Sequence, residues 1–143
     1  MSALVDRRQD LSRKLTGGLF GGVMGGIVFG IMMSLMGMMP LIASLVGSQS
    51  LAVGWLVHLA ISVFIGLTFA WLLGDRSTSY GPGLLWGALY GIIWWVLGPL
   101  LIMPAMMGMP LLMFNSITLM SLLGHVIYGV VLGSAYAWYV TRR

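Results

Sequence analysis

Two stretches decide the fold of this chain: GWLVHLAISVFIGLTFAW (54–71) and SLLGHVIYGVVLGSAYAW (121–138). Read at every fourth residue, the first gives Gly54, His58, Ser62, Gly66 and Ala70, and the second gives Ser121, His125, Gly129, Gly133 and Ala137. Residues four apart stack on one face of a helix, so each stretch predicts a helix with a nearly bare ridge, interrupted only by its histidine. Trp71 and Trp138 each follow their histidine by thirteen residues. Glycine is abundant enough to match by accident. Both histidines and two of the six tryptophans in one register point instead to an internal repeat.

Composition says which solvent these helices face. The chain has 143 residues, 59% of them hydrophobic and 7% charged, with 21 Gly and 13 Met. A soluble domain carries about 25% charged residues, so this chain cannot cover a surface in water. With roughly 20 apolar residues per crossing, four membrane helices use most of the length. The expected fold class is therefore all-α integral membrane: one membrane domain over 1–143, with no soluble domain attached. There is no Cys, which excludes disulfides, thiolate metal sites and cysteine nucleophiles. A net charge of +4 raises nucleic acid as a partner, but the basic residues sit at membrane edges and argue against it. Arg7, Arg8, Arg13 and Lys14 precede the first apolar run, Arg76 lies in the middle loop, and Arg142 and Arg143 close the chain. Four crossings put all of them on one side, which the positive-inside bias assigns to the cytoplasm. Asp6, Asp10 and Asp75 fall there too, and the opposite face carries no formal charge.

Taken in order, residues 1–14 predict a short basic amphipathic start at the cytoplasmic headgroups. The apolar run over about 15–39 is longer than a signal-peptide core and lacks a convincing cleavage site, so it reads as a retained first helix. It carries two adjoining ridges, Gly17, Gly21 and Gly25 on one and Gly18, Gly22, Gly26, Gly30 and Ser34 on the other. Such small-xxx-small faces permit close helix approach. One ridge suits a helix of the same chain, and the other is left for a different helix or another copy. The outer connection over 40–50 contains Leu41, Ile42, Leu45 and Val46, too apolar for a watery loop. It is expected to fold back at the interface or lie beneath a partner. Helix two runs over about 51–73 and completes repeat one (15–73). The polar cluster around 74–82 is the cytoplasmic loop. Repeat two (83–143) begins with a helix carrying Gly83, Gly87 and Gly91, which Gly98-Pro99 kinks or ends. A Pro- and Met-rich outer segment follows over roughly 100–118, and helix four spans about 119–140.

The halves align. Gly26, Gly30, Gly37 and Gly47 match Gly87, Gly91, Gly98 and Gly108 at an offset of 61, while the histidine helices match at 67. Each half is a hairpin that returns to its starting side, so the repeats are expected to be parallel, related by a pseudo-twofold axis along the membrane normal. That puts His58 and His125 at equal depth in the outer half of the bilayer.

The strings HLAISVFIGLTFAWLL (58–73), GLLWGALYGIIWWVLGPLLIMPAMMGMP (83–110) and GHVIYGVVLGSAYAWYVTRR (124–143) resemble the YagU-like family of small bacterial inner-membrane proteins. The likeness rests on glycine spacing, a histidine in each of two helices and a Gly-Pro-rich outer segment. It implies a multi-pass protein of the bacterial inner membrane and brings no established activity.

The functional classes narrow accordingly. No acidic or basic residue lies in a predicted crossing and no nucleophile–base pair can be drawn, so an enzyme is not expected. Ion-coupled transport would fall to the two histidines alone. The Gly runs sit inside apolar helices and match no nucleotide loop. Three readings remain for the histidines and their neighbours. In the first, each imidazole is a packing group that donates to a facing carbonyl or hydroxyl such as Ser34 or Ser44. In the second, His58 and His125 are axial ligands of a haem or another tetrapyrrole, with the glycines leaving room for the macrocycle and Gly54 and Ser121 completing a small-xxx-His pattern. In the third, His58 and His125 join the thioethers of Met36, Met39, Met103, Met106 and Met107 to handle Cu(I) at the outer face; the bland role of Met is to fill gaps. The leading expectation is non-catalytic assembly in the lipid bilayer, as a homo-oligomer or with other membrane subunits.

Overall fold

The computed structural model describes residues 2–142, with side chains from Leu4 onward, and is all-helical over that range. Four helices are long and apolar enough to cross a membrane: Leu4–Leu35, Leu51–Arg76, Tyr80–Met106 and Ser116–Thr141.

Helix α1 runs over Ser2–Leu35 without a break. The basic start is thus not a separate surface helix; it is the exposed beginning of α1 itself. No Gly or Pro stands between Ser2 and Thr16, and Leu, Arg and Lys favour continuation. Gly37 ends the helix in the left-handed region at φ +68°. Around it, Gly37 N–H donates to Ser34 O (3.1 Å) and Met38 N–H to Met33 O (2.8 Å), a Schellman arrangement that satisfies the last carbonyls. The connection between the first two long helices then forms a short helix α2, Met39–Ser44, whose Met39, Ile42 and Ala43 are buried. It folds back on helix α3, Leu51–Leu73, and the Met39 carbonyl lies so close to Gly54 that an added methyl there would stand 2.5 Å away.

A 3₁₀ turn at Gly74–Arg76 leads to α4, Tyr80–Trp95. Helix α4 starts three residues before Gly83 because Pro82, in its first turn, occupies a position whose N–H would have no partner anyway. Lys14 ties this loop to α1, with its ammonium 2.9 Å from Asp10 and 2.5 Å from Asp75.

Gly98-Pro99 neither ends nor sharply breaks the third crossing. Pro99 has no N–H to return, and the chain widens into a π-helical segment over Val96–Ile102 before α5, Met103–Met106. Pro104 likewise leaves Leu100 O without its usual helical donor. Leu112 N–H, in the segment before α6, supplies the missing bond at 2.9 Å. Helix α6, Ser116–Thr141, begins with a capping box in which the Asn115 side chain accepts from Thr118 N–H while the Thr118 hydroxyl accepts from Asn115 N–H. Trp95 Nε1–H donates to Thr118 O (2.7 Å), fastening the end of α4 to the start of α6.

The bare ridges meet each other. Against α3, methyl groups built at Gly18 and Gly22 would lie 2.5 Å from Gly66 O and 2.6 Å from Ser62 O, and one at Gly26 would lie 2.7 Å from Ser62 Oγ. Against α6, one at Gly83 would lie 2.6 Å from Gly133 O, while Gly87 and Gly91 would meet Gly129 O and His125 O more closely still. The second ridge of α1 is also taken up within the chain: Gly25, Gly21 and Gly17 receive Tyr128, Leu132 and Tyr136 of α6. Tyr136 and Leu132 are fully buried there. The reason is complementarity, since a ridge of bulky residues four apart fits a ridge with none. The seam between α3 and α4 is looser and made by long side chains, with the Thr68 and Tyr90 hydroxyls 2.7 Å apart and the Phe69 and Tyr90 rings 5.4 Å apart. Where α1 has Gly25, α4 has Trp86 at the 61-residue offset, partly buried against the core.

Candidate functional site

The two histidines lie on helices whose glycine contacts hold them against different helices, His58 against α1 and His125 against α4. A carbonyl can only accept, so its hydrogen-bond partner fixes which ring nitrogen carries the proton. His58 Nε2–H donates to Gly26 O across the α1–α3 contact at 2.9 Å. His125 Nδ1–H donates to Ser121 O one turn back in its own helix at 2.8 Å. The nitrogens left with a lone pair therefore differ, Nδ1 in His58 and Nε2 in His125. The expected partners Ser34 and Ser44 are not used. Ser44 donates to Leu41 O in its own turn (2.6 Å), and the Ser34 hydroxyl is buried without a hydrogen-bond partner among the described residues.

Phe29 of α1 joins the two sites. Its ring meets His58 edge-on at 5.5 Å between centroids and His125 at 4.9 Å. It also rests on Gly124, where a methyl group would collide with the ring. The ground shared by the imidazoles, where a macrocycle would need its room, is filled by a phenyl ring. A second link runs through Ser62, whose hydroxyl donates to His58 O (2.8 Å) while its carbonyl accepts from Tyr128 OH (2.7 Å). Tyr128 belongs to α6, so this chain of bonds crosses from one pair of helices to the other.

The methionines divide. Met39 is fully buried beneath α3, and Met103 is partly buried against the same core. Met36, Met106 and Met107 are exposed. Among the described residues no three His, Cys, Asp or Glu side chains cluster to hold a metal. Gly54 and Ser121, four before the histidines, are both buried, Gly54 under Met39 O and Ser121 beside His125. Phe29, Tyr128 and Tyr136 are central residues that lie outside the small-residue ridges. The signal for two of them was present as the bulky four-residue stripe Tyr128, Leu132 and Tyr136, beside the bare one.

A family model, family of unknown function (DUF6789), matches residues 10–143. The chain belongs to DUF6789. The match takes in all four long apolar helices except the first residues of α1. No curated protein and no solved structure matches the chain.

The different partners of the imidazoles yield a prediction for this DUF6789 member. His58→Leu removes a bond between helices, of a kind worth roughly 0.6–2 kcal/mol in membranes, and should lower the thermal midpoint in detergent. His125→Leu removes a bond within one helix and should lower it less. Equal losses from both would show that these two hydrogen bonds do not govern stability.

Proposed function

We propose that this protein is a non-catalytic, multi-pass protein of the bacterial inner membrane, built as two parallel helical hairpins with both chain ends in the cytoplasm. It works by contact, self-associating or serving as a small subunit of a membrane complex. The observation that carries the reading is the correspondence of the two glycine contacts. Gly22 with Gly66, Gly26 with Ser62 and Gly30 with His58 correspond, at offsets of 61 and 67, to Gly83 with Gly133, Gly87 with Gly129 and Gly91 with His125. Two segments that use the same register for the same contacts behave as repeats. The basic residues at one end of the bundle support the cytoplasmic assignment of that end. The resemblance to YagU-like proteins fits the same location.

Both glycine ridges of α1 are occupied inside the chain, so contacts with other copies or subunits fall to other surfaces. The outer segment offers one, since Met109, Leu111, Leu112, Met113 and Phe114 are all exposed. A contact role also accounts for a core spent on packing: the imidazoles bond carbonyls, and Phe29 takes the space beside them.

The test is an absorption spectrum of the detergent-purified protein before and after dithionite, with metal analysis and a mass measurement on the same sample. A colourless preparation with substoichiometric metal and a mass above one copy is expected. A Soret band, or stoichiometric copper lost on His58→Ala, would overturn the reading.

A further inference from the structure

We propose that the groove between the start of α1 and the end of α6 binds the phosphodiester headgroup of an anionic phospholipid. The groove has a volume of about 370 Å³ and is lined by Arg13, Phe20, Trp138, Tyr139 and Arg142. It adjoins a second hollow of about 410 Å³ that shares Arg13 and Tyr139 with it and adds Arg8. Three guanidiniums thus border the two adjoining hollows, with Arg13 common to both. The nearby carboxylates of Asp10 and Asp75 are engaged by Lys14, and among the described residues none pairs with Arg8, Arg13 or Arg142. Among the described residues this positive charge has no paired carboxylate.

Two of the guanidiniums are also held in place. Arg13 donates to the Arg142 carbonyl, and the Arg142 guanidinium lies over the Trp138 ring at 3.6 Å from its centroid. Below them, Phe20 stacks on Trp138 at 5.4 Å and packs on Tyr139 at 5.9 Å. The groove therefore has two ends of different chemistry. Fixed arginines at one end suit a phosphate, whose oxygens match their forked N–H groups. An aromatic wall at the other end suits the glycerol and first acyl carbons, at the depth where Trp and Tyr gather in membranes. A free phosphate would use only the first end. A basic pocket between transmembrane helices at the headgroup level is a setting in which anionic lipids are held.

The leaflet that supplies the lipid rests on the orientation proposed above; the binding itself does not. The experiment titrates phosphatidylglycerol, phosphatidylcholine or inorganic phosphate into the full-length protein in neutral detergent and follows the thermal midpoint. Phosphatidylglycerol should raise it saturably, while phosphatidylcholine and inorganic phosphate should not. Arg13→Gln/Arg142→Gln should weaken the phosphatidylglycerol response by tenfold or more, and Arg8→Gln by about fivefold, as expected near one kcal/mol per basic residue. Arg76→Gln, outside the groove, should leave it unchanged. Among the described residues Arg8 forms no ion pair and no side-chain hydrogen bond, so the Arg8→Gln result stands even where the double variant fails to fold. A response to phosphatidylcholine equal to that with phosphatidylglycerol, saturation by phosphate alone, or wild-type affinity in Arg8→Gln would overturn the proposal. Orientation is read separately: the chain has no Cys, so Ser79→Cys reports by impermeant labelling which side the loop faces. Labelling from the outside would sink the cytoplasmic assignment and leave the phosphatidylglycerol result standing.

Discussion

Gly133→Leu should abolish the folded state, and Gly87→Ala should lower its stability by about 1–3 kcal/mol, the usual cost of overpacking a closed contact. A β-carbon at either position would run into a backbone carbonyl of the facing helix, Gly83 O for Gly133 and Gly129 O for Gly87. A flexible side chain can turn aside, whereas a helix backbone can only retreat as a body. Retreat is costly here because lipid is as apolar as leucine, leaving helix association to close packing. Once α4 stands off from α6, the contacts of Gly83, Gly87 and Gly91 loosen together. Gly81→Ala and Gly98→Ala are the controls, since nothing lies within 4 Å of a methyl group at either. Thermal unfolding in detergent, followed by circular dichroism, gives the comparison. A Gly133→Leu protein that melts with the controls would mean that the α4–α6 contact does not hold the bundle together.

Phe29→Ala should cost about 3–5 kcal/mol, the range for truncating a buried phenyl ring. The ring is 9% exposed and touches both imidazoles and Gly124, so its loss leaves a gap beside three helices at once. None of its neighbours can close that gap easily. His58 is tied to Gly26 O, His125 to Ser121 O, and Gly124 has no side chain to extend. Phe29→Leu, which retains most of the volume, should recover more than half of the loss. The measurement is the midpoint and slope of unfolding in a denaturing detergent series. A loss below about 1 kcal/mol would place Phe29 outside the core, and the space beside the histidines would then be open to another occupant.

Much of the fold was legible in local sequence. Helix α3 was expected over 51–73 and is found at Leu51–Leu73, because its apolar run is bounded by Ser50 on one side and the Gly74-Asp75 turn on the other. Elsewhere the boundaries moved for identifiable reasons. Helix α6 begins at Ser116, earlier than its apolar run, because Asn115 and Thr118 cap each other. The third long helix continues past Pro99 because a π-helical register absorbs the missing donor, and Leu112 N–H takes up the Leu100 carbonyl that Pro104 leaves free. The candidate site was legible only in part. The histidines and the glycines opposite them announce themselves by spacing, but the tautomer of each imidazole depends on which carbonyl lies nearby. Phe29 carries no periodic mark; it is one aromatic among many apolar residues until Gly124 and both histidines close around it. The Arg13–Arg142 groove joins residues 129 positions apart, and no local pattern relates them.

The amino-acid sequence by itself determined that this is a chain of four lipid-length helices, and where their bare faces lie. Charge content, apolar run length and a four-residue period are all properties of neighbouring residues. Only the tertiary structure decided what each bare face meets. Gly17, Gly21 and Gly25 looked as ready for another copy as for this one, and they are filled by Tyr136, Leu132 and Tyr128 of the same chain. That choice depends on the fit between a hollow on one helix and the bulk on another, which no single helix contains.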